Sequence, residues 1–472
     1  MNLPNLREAG KRTKSPIKFI LDDYKLPDNL KELGLNKKYY IKTYGCQMNV
    51  HDTENIKAIL EMMSFKETDE FEEADLILLN TCAIRENAHN KMFGFLGRVK
   101  HLKESKPHIV TAICGCMAQE ENVVEALMKK YKWVDIVFGT HNIHRLPYIL
   151  NEALEKNKLH IEVLSREGNI VEGIPVKRQS NYKAYVNIIY GCDKFCTYCI
   201  VPYTRGKQRS RDPKDIVREV EELVKDGYKE VTLLGQNVNA YGKDFDYEYT
   251  MENLLEDVSK TAIPRIFFMT SHPWDFTDGM IDVISRCENV MPYVHMPVQS
   301  GSSRILKLMG RRYTKESYLE LFDKIRERIP RVSISTDIIV GFPGEEEEDF
   351  LDTLELAEHC KYDNAFTFIY SPRENTAAAK LTNQVLESVK EERLQRLNAV
   401  VNKYFLENNK KLVCKEFPVL VEGISSKKNE LFGYTDTFKL INFEGDSSLI
   451  GEIVNVKVVD AKTWSLDGEI VK

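Results

Sequence analysis

Apolar residues follow two rhythms along this chain. From residue 37, short unbroken apolar runs alternate with stretches whose apolar positions fall three and four apart. The runs at 39–44, 75–80 and 109–113 predict strands, and the spacing at 52–63 and 120–130 predicts helices. A polar, glycine-bearing stretch at 165–181 interrupts the pattern and reads as a linker. The alternation then resumes, with strands predicted at 184–189, 230–234, 265–269, 293–296, 333–340 and 365–370, and helices at 213–226, 251–260, 314–328 and 346–359. Strands alternating with helices predict parallel sheets. Six such units curve into a partial barrel more readily than into a flat sheet, and such barrels carry their sites on the rim at the carboxyl ends of the strands. A long helix at 386–411 closes this series. Beyond residue 414 the rhythm changes to five short runs, at 417–421, 431–437, 439–443, 451–459 and 465–470, separated by Gly, Asp and Lys. That pattern predicts a small β-barrel.

The chain is therefore read as an α/β protein in four parts: a basic flexible arm at 1–36, a parallel α/β sheet domain at 37–155, a central partial barrel at 178–408 and an all-β barrel at 411–472. The arm owes its character to Arg7, Lys11, Arg12, Lys14 and Lys18. Composition narrows the function. A net charge of −6 means that any nucleic acid must be met by local basic patches. The longest apolar runs are strand-sized, so no membrane span is expected, and the polar, basic start does not read as a secretory signal. Ten cysteines without an export signal point to thiols and metal sites in a reducing cytoplasm.

Three of these cysteines lie in Tyr190-Gly191-Cys192-Asp193-Lys194-Phe195-Cys196-Thr197-Tyr198-Cys199, directly after the first predicted strand of the central series. One short loop thus delivers three thiolates to one small object. A closed zinc site takes four protein ligands, and no fourth Cys or His lies nearby. An iron–sulfur cluster held by three cysteines keeps one iron open for chemistry. A second set is spread along the first domain: Cys46, Cys82 and Cys114 or Cys116 each follow the end of a different predicted strand. One such cysteine is ordinarily a core residue. Three at the same topological position are better explained by a second cluster site. Cys287, Cys360 and Cys414 lie away from strand ends and read as ordinary buried thiols.

The spacing Cys192, Cys196, Cys199, with the aromatic Tyr198 before the third cysteine, resembles the signature of the radical S-adenosylmethionine (SAM) enzymes. The chain beyond the arm resembles the methylthiotransferase family within them, through Lys42-Thr43-Tyr44-Gly45-Cys46-Gln47-Met48-Asn49, Leu79-Asn80-Thr81-Cys82-Ala83-Ile84-Arg85 and Cys116-Met117-Ala118-Gln119. Val201-Pro202-Tyr203-Thr204-Arg205-Gly206, His295-Met296-Pro297-Val298-Gln299-Ser300-Gly301-Ser302 and Ser335-Thr336-Asp337-Ile338-Ile339-Val340-Gly341-Phe342-Pro343-Gly344-Glu345 add to it, and residues 411–472 resemble a TRAM domain, a small RNA-binding barrel. The resemblance implies methylthiolation of carbon 2 of a dimethylallyl-adenosine beside the anticodon of tRNA, one SAM giving the methyl group and another the radical. Relatives act instead on threonylcarbamoyl-adenosine or on a ribosomal-protein aspartate, and an iron–sulfur electron carrier or RNA-binding adaptor is the non-enzymatic alternative.

The same resemblance implies two 4Fe–4S clusters. Cys192, Cys196 and Cys199 would hold the one that cleaves SAM; Cys46, Cys82 and Cys116, preferred over Cys114 for its place before Met117-Ala118-Gln119, would hold an auxiliary one. No side chain is read as a general acid or base. SAM contacts are expected from Tyr198, Gln236, Asn237, Ser271, Gln299 and Ser300. Arg205, Lys207, Arg209 and Arg211 form a basic run beside the radical cluster and are expected to meet RNA phosphates. An external electron donor, a sulfur source and a monomeric state complete the expectation. The C-terminal barrel is expected to grip RNA while the central barrel cleaves SAM without it.

Overall fold

Leu76–Thr81 is buried at every position, as a central strand of a parallel sheet covered on both faces must be. The computed structural model describes residues 3–9, 24–83, 86–156, 159–165, 171, 173–425 and 430–471. The basic residues Lys11, Arg12, Lys14 and Lys18, the side chain of Arg7, the motif residues Ile84 and Arg85, and linker residues 166–170 and 172 lie outside that set. The chain divides into two compact units, one of residues 1–179 with 190–194 and 199–209, the other of 180–189, 195–198 and 210–472.

In the first unit, six parallel strands stand in the order Lys66–Glu67, Lys38–Tyr44, Leu76–Thr81, Val110–Gly115, Ile136–Phe138, His160–Glu162. The predicted strands at 39–44, 75–80 and 109–113 are there; the other three are two or three residues long, too short to leave a periodic trace. Leu26 and Leu30 are buried against Tyr39, Ile59 and Leu60. Residues 24–36 therefore belong to this core and not to a flexible arm. Their charged residues had masked two well-spaced leucines.

The second unit holds two parallel three-stranded sheets, Lys183–Asn187, Glu230–Leu234 and Arg265–Phe268, then Tyr293–His295, Ser333–Val340 and Asn364–Ile369, joined by a bridge from Ile266 to Val290. This is the expected six-stranded partial barrel. Val186, Val231, Leu233, Ile266, Val294, Ile334 and Ile338 face one core with the helices. The register places the alternate residues on the other face: Tyr185, Thr232 and Phe267 at one level, and His295, Ser335, Asp337 and Phe366 further along. Helices Asp278–Arg286 and Ser303–Leu308, unread in the sequence, complete the βα series.

Five strands, Glu416–Ile424, Glu430–Thr435, Leu440–Glu444, Ile453–Ala461 and Leu466–Ile470, close into the C-terminal barrel. Within the second unit this barrel caps the end where the central strands begin. The Phe438 ring stacks on Phe267 at 4.5 Å and lies 5.1 Å from Tyr293. Arg265 donates to the carbonyls of Tyr434 and Thr435 at 3.0 and 2.9 Å, and Lys183 reaches Glu422 at 2.9 Å. The two barrels share a buried interface, which their reading as separate parts of the chain did not anticipate. Among the described residues, no helix is long and apolar enough to cross a membrane.

Candidate functional site

Strand register sets the geometry of the first cysteine group. Tyr44 pairs with Thr81, and Thr81 with Gly115, so three adjacent strands end level with one another. Cys46, Cys82 and Cys116 follow within two residues of those ends. Gly115 makes the last turn at φ 94°, where a Cβ would strike Asn80 and the Thr81 carbonyl. Cys46 caps the helix Gln47–Met62. The buried amides of Asn49 and Asn80 hold that helix to the middle strand: Asn49 Nδ2 donates to Asn80 Oδ1 at 3.1 Å, and Asn80 Nδ2 to Asn49 O at 2.8 Å.

The Cys46 thiol is lowered to about 6, chiefly by a hydrogen bond with Cys82; burial opposes the shift, and Arg205 and the amides of the helix start favour it. Cys116 is pushed up by burial, against the pull of Arg205 and with the charge of Cys46 adding to it. Cys46 thus bonds to Cys82 and lies within charge range of Cys116. Among the described residues no three such donors form a ready-made single-ion site. The donor set, soft thiolates at three level strand ends, is one that iron–sulfur clusters take.

Arg205 completes this group. It is 6% exposed, donates from Nε to Cys116 Sγ at 3.0 Å, and forks onto Asp52 at 3.3 and 2.5 Å. Burial disfavours its charge, but Asp52 and the thiols outweigh that and hold the guanidinium protonated. Arg205 was expected to meet RNA phosphate; its donors are instead committed inside the protein. Arg209 is likewise turned inward, onto the carbonyls of Lys207 and Arg205, and Arg211 onto Asn187 O and Glu219. Lys207 keeps a partly exposed side chain, and among the described residues none bonds to its ammonium group. The charges were legible in the sequence, but the burial that redirects them was not.

Cys114 and Cys116 separate cleanly. Cys114 lies in the core with Leu76, Ala112 and Ile136, its thiol raised well above the ordinary range by burial. Cys116 sits with Ala83, Ile200 and Tyr203. Cys114→Ala is expected to leave the iron content of the reconstituted protein intact, and Cys116→Ala to lose about half of it, as measured by iron and sulfide analysis. The reverse result would exchange their roles.

In the second cysteine group, Gly191 at φ 71° lets Cys192 N donate to Gly206 O at 3.1 Å, and Lys194 N donates to Cys192 Sγ at 3.4 Å. Cys196 is fixed from its own side. Thr197 N donates to Met309 O at 2.9 Å, and Arg311 Nη1 to Cys196 Sγ at 3.5 Å. Arg311 is buried, its other donors on Tyr313 Oη and Pro297 O. No local pattern around Arg311 marks this second arginine–sulfur bond.

The expected SAM contacts divide. Gln236 Oε1, Asn237 Oδ1, Ser271 Oγ and both amide atoms of Asn239 are buried without a hydrogen-bond partner, all just beyond the second and third barrel strands. Such a concentration of unsatisfied polar atoms suits a polar ligand. Asn239 belongs with them although only its neighbours were singled out. Asn237 also donates to Asp275 at 2.7 Å. Ser300 is different: its hydroxyl accepts from Ser302 N and meets Thr353. Gln299 sits at φ 71° with its backbone bonded to Asp337 and Ile339. Tyr198 packs edge-on to Phe342. Of the remaining thiols, Cys360 is buried as expected and Cys287 half-buried, whereas Cys414 is exposed, at φ 68° on the turn between helix and barrel.

Residues 186–357 match the Radical SAM superfamily, 410–471 the TRAM domain and 38–139 the uncharacterized protein family UPF0004. The chain is 54% identical to the tRNA-2-methylthio-N(6)-dimethylallyladenosine synthase of Anoxybacillus flavithermus, over 99% of this chain and 89% of that one. It is 55% identical to the protein of the same name from Bacillus cereus, over 99% and 92%. Among solved structures it is similar to the radical SAM methyltransferase TsrM of Kitasatospora setae with cobalamin and a [4Fe-4S] cluster bound. The TM-score is 0.52 at 13% identity, over 73% of this chain and 77% of that one, a likeness of fold.

Proposed function

Since the chain belongs to the family of tRNA-2-methylthio-N(6)-dimethylallyladenosine synthases, we propose that its two three-cysteine sets divide that family's reaction between them. The protein is a radical SAM methylthiotransferase that places a methylthio group on carbon 2 of dimethylallyl-adenosine in tRNA, one SAM serving as methyl donor and another as radical source. Substrates with threonylcarbamoyl-adenosine or a protein aspartate, and a non-enzymatic role, are not favoured by these relatives. The observation that carries the division is that each set has its own buried arginine donating to one sulfur, Arg205 to Cys116 and Arg311 to Cys196.

Cys192, Cys196 and Cys199 would hold one 4Fe–4S cluster, and Cys46, Cys82 and Cys116 the other. When bound, the first would supply the electron that splits SAM, and the second would carry the sulfur that is transferred. A radical is required because the hydrogen on carbon 2 of adenine is not acidic, and no general base can remove it. The unsatisfied atoms of Gln236, Asn237, Asn239 and Ser271 would take the polar groups of SAM. The base would lie on the inward face of the partial barrel. There Asp337, 3.5 Å from His295 Nε2, would offer an acceptor for an adenine N–H, and the half-exposed rings of Phe366 and Phe368 would offer an apolar wall for the dimethylallyl group. Closing that face excludes water from a reactive radical.

The TRAM barrel would bring the anticodon loop, whose bases can be splayed out for recognition. An external electron donor, an external sulfur source, a monomeric state and a cytoplasmic location belong to the same reading. Incubation of the reconstituted enzyme with SAM, reductant and dimethylallyl-adenosine-containing tRNA is expected to yield the 2-methylthio nucleoside by mass spectrometry. Product only on threonylcarbamoyl-adenosine, or only on protein, would refute the substrate assignment.

A further inference from the structure

The segment that follows the third cysteine of the radical set is built into the other set. Five residues lie between Cys199 and Arg205, and in that span Ile200 and Tyr203 pack on Cys116 and Ala83. Thr204 O accepts from Thr140 Oγ1 at 3.0 Å, and the backbone of Gly206 accepts from Cys192 N. Arg205 is therefore anchored at both ends by the fold. Its side chain points away from solvent, with one N–H on Cys116 Sγ and the fork on Asp52. Asp52, itself 4% exposed, is on the helix that Cys46 caps. A buried arginine–carboxylate pair is weak evidence for stability, because the desolvation of two charges offsets most of their attraction. Its placement against a sulfur points to another use.

We propose that Arg205 is a positioning residue that sets the reduction potential of the auxiliary cluster held by Cys46, Cys82 and Cys116, and that Asp52 sets the strength of its effect. The inference rests on the assignment of those three cysteines to a cluster. An N–H bond to a ligating sulfur withdraws electron density, and a buried positive charge favours the more negative, reduced form; both raise the potential. Asp52 orients the guanidinium and cancels part of its charge, leaving the N–H···S bond as the directed part of the effect. The arginine at the other set differs in this respect. The donors of Arg311 fall on the neutral Tyr313 and Pro297 oxygens, and among the described residues no carboxylate pairs with it. One set is thus served by a compensated guanidinium and the other by an uncompensated one.

The test uses the full-length chain with Cys192, Cys196 and Cys199 changed to Ala, so that any cluster signal comes from the auxiliary set alone. Iron analysis and a potentiometric titration followed by electron paramagnetic resonance are read on this background and on the same background carrying Arg205→Met, Arg205→Lys or Asp52→Asn. With Arg205 present, about four irons per chain are expected. Arg205→Met is expected to move the midpoint to more negative potential. Arg205→Lys, which keeps the charge and loses the fork, is expected to move it the same way by less, and Asp52→Asn to move it the opposite way. If Arg205→Met loses its iron, the decision falls on Arg205→Lys. An unchanged midpoint in an iron-loaded Arg205 variant overturns the proposal. A background chain that holds no iron overturns the cluster assignment beneath it.

Discussion

The triple change of Cys46, Cys82 and Cys116 to Ala is expected to leave reductive cleavage of SAM to 5′-deoxyadenosine detectable while methylthio-adenosine falls to background. The corresponding change of Cys192, Cys196 and Cys199 is expected to abolish both. The reason is local. Cys46, Cys82 and Cys116 end three strands of the six-stranded sheet, whereas Cys192, Cys196 and Cys199 follow the first strand of the partial barrel. The unsatisfied polar atoms that would receive SAM belong to loops of that barrel. Chromatography of the nucleosides from a single incubation reads both products. If the first variant still thiolates tRNA, the N-terminal cysteines are structural and the division of labour is wrong. If it also loses SAM cleavage while remaining folded, the two sets do not act separately.

The second large effect concerns the C-terminal barrel. Removing residues 411–472 is expected to destabilise the central barrel and not merely to weaken RNA binding. Truncation strips Phe438 from Phe267 and Tyr293, and leaves Arg265, only 5% exposed, without the two carbonyls it now donates to. The milder variant Phe438→Ala keeps the barrel and is expected to cost about 2–4 kcal/mol, from lost aromatic burial and the cavity it leaves. Arg265→Met is expected to cost roughly 3 kcal/mol, because Glu230, 1% exposed, then keeps, among the described residues, Lys183 as its one remaining ion-pair partner. Urea unfolding followed by circular dichroism measures all three. A truncated chain that unfolds at the midpoint of the intact protein would show the two barrels to be independent after all.

Much of this architecture was legible because it rests on periodicity. The strand at 333–340 is a run of eight residues with a buried face, and 230–234 is buried at every position, so their bounds in the sequence and in the fold agree. The two-residue strand Lys66–Glu67 has no period to read. The placement of the six cysteines just after strand ends was legible, because spacing and strand order are written along the chain. The arginines were legible only as charges. Whether a guanidinium meets a phosphate or a sulfur depends on burial, and the burial of Arg205 is set by Asp52, 153 positions away. In the same way Asp337, Phe366 and Phe368 share a face only because two strands pair in one particular register. Local sequence carries no record of that register.

The passage from Cys199 to Arg205 has a consequence for chimeras. Sequence boundaries place this stretch in the radical SAM region, which the superfamily match covers from residue 186 to 357, yet Arg205 is paired in space with Asp52 of the preceding domain. A graft made at the apparent linker, joining this central domain to a foreign N-terminal sheet, would import a buried guanidinium and leave its carboxylate behind. An uncompensated charge of that kind costs about 3–5 kcal/mol, enough to defeat many otherwise well-designed fusions. The transferable piece is therefore defined by charge balance and not by the family boundary. Asp52 has to travel with Arg205, or both have to be exchanged together.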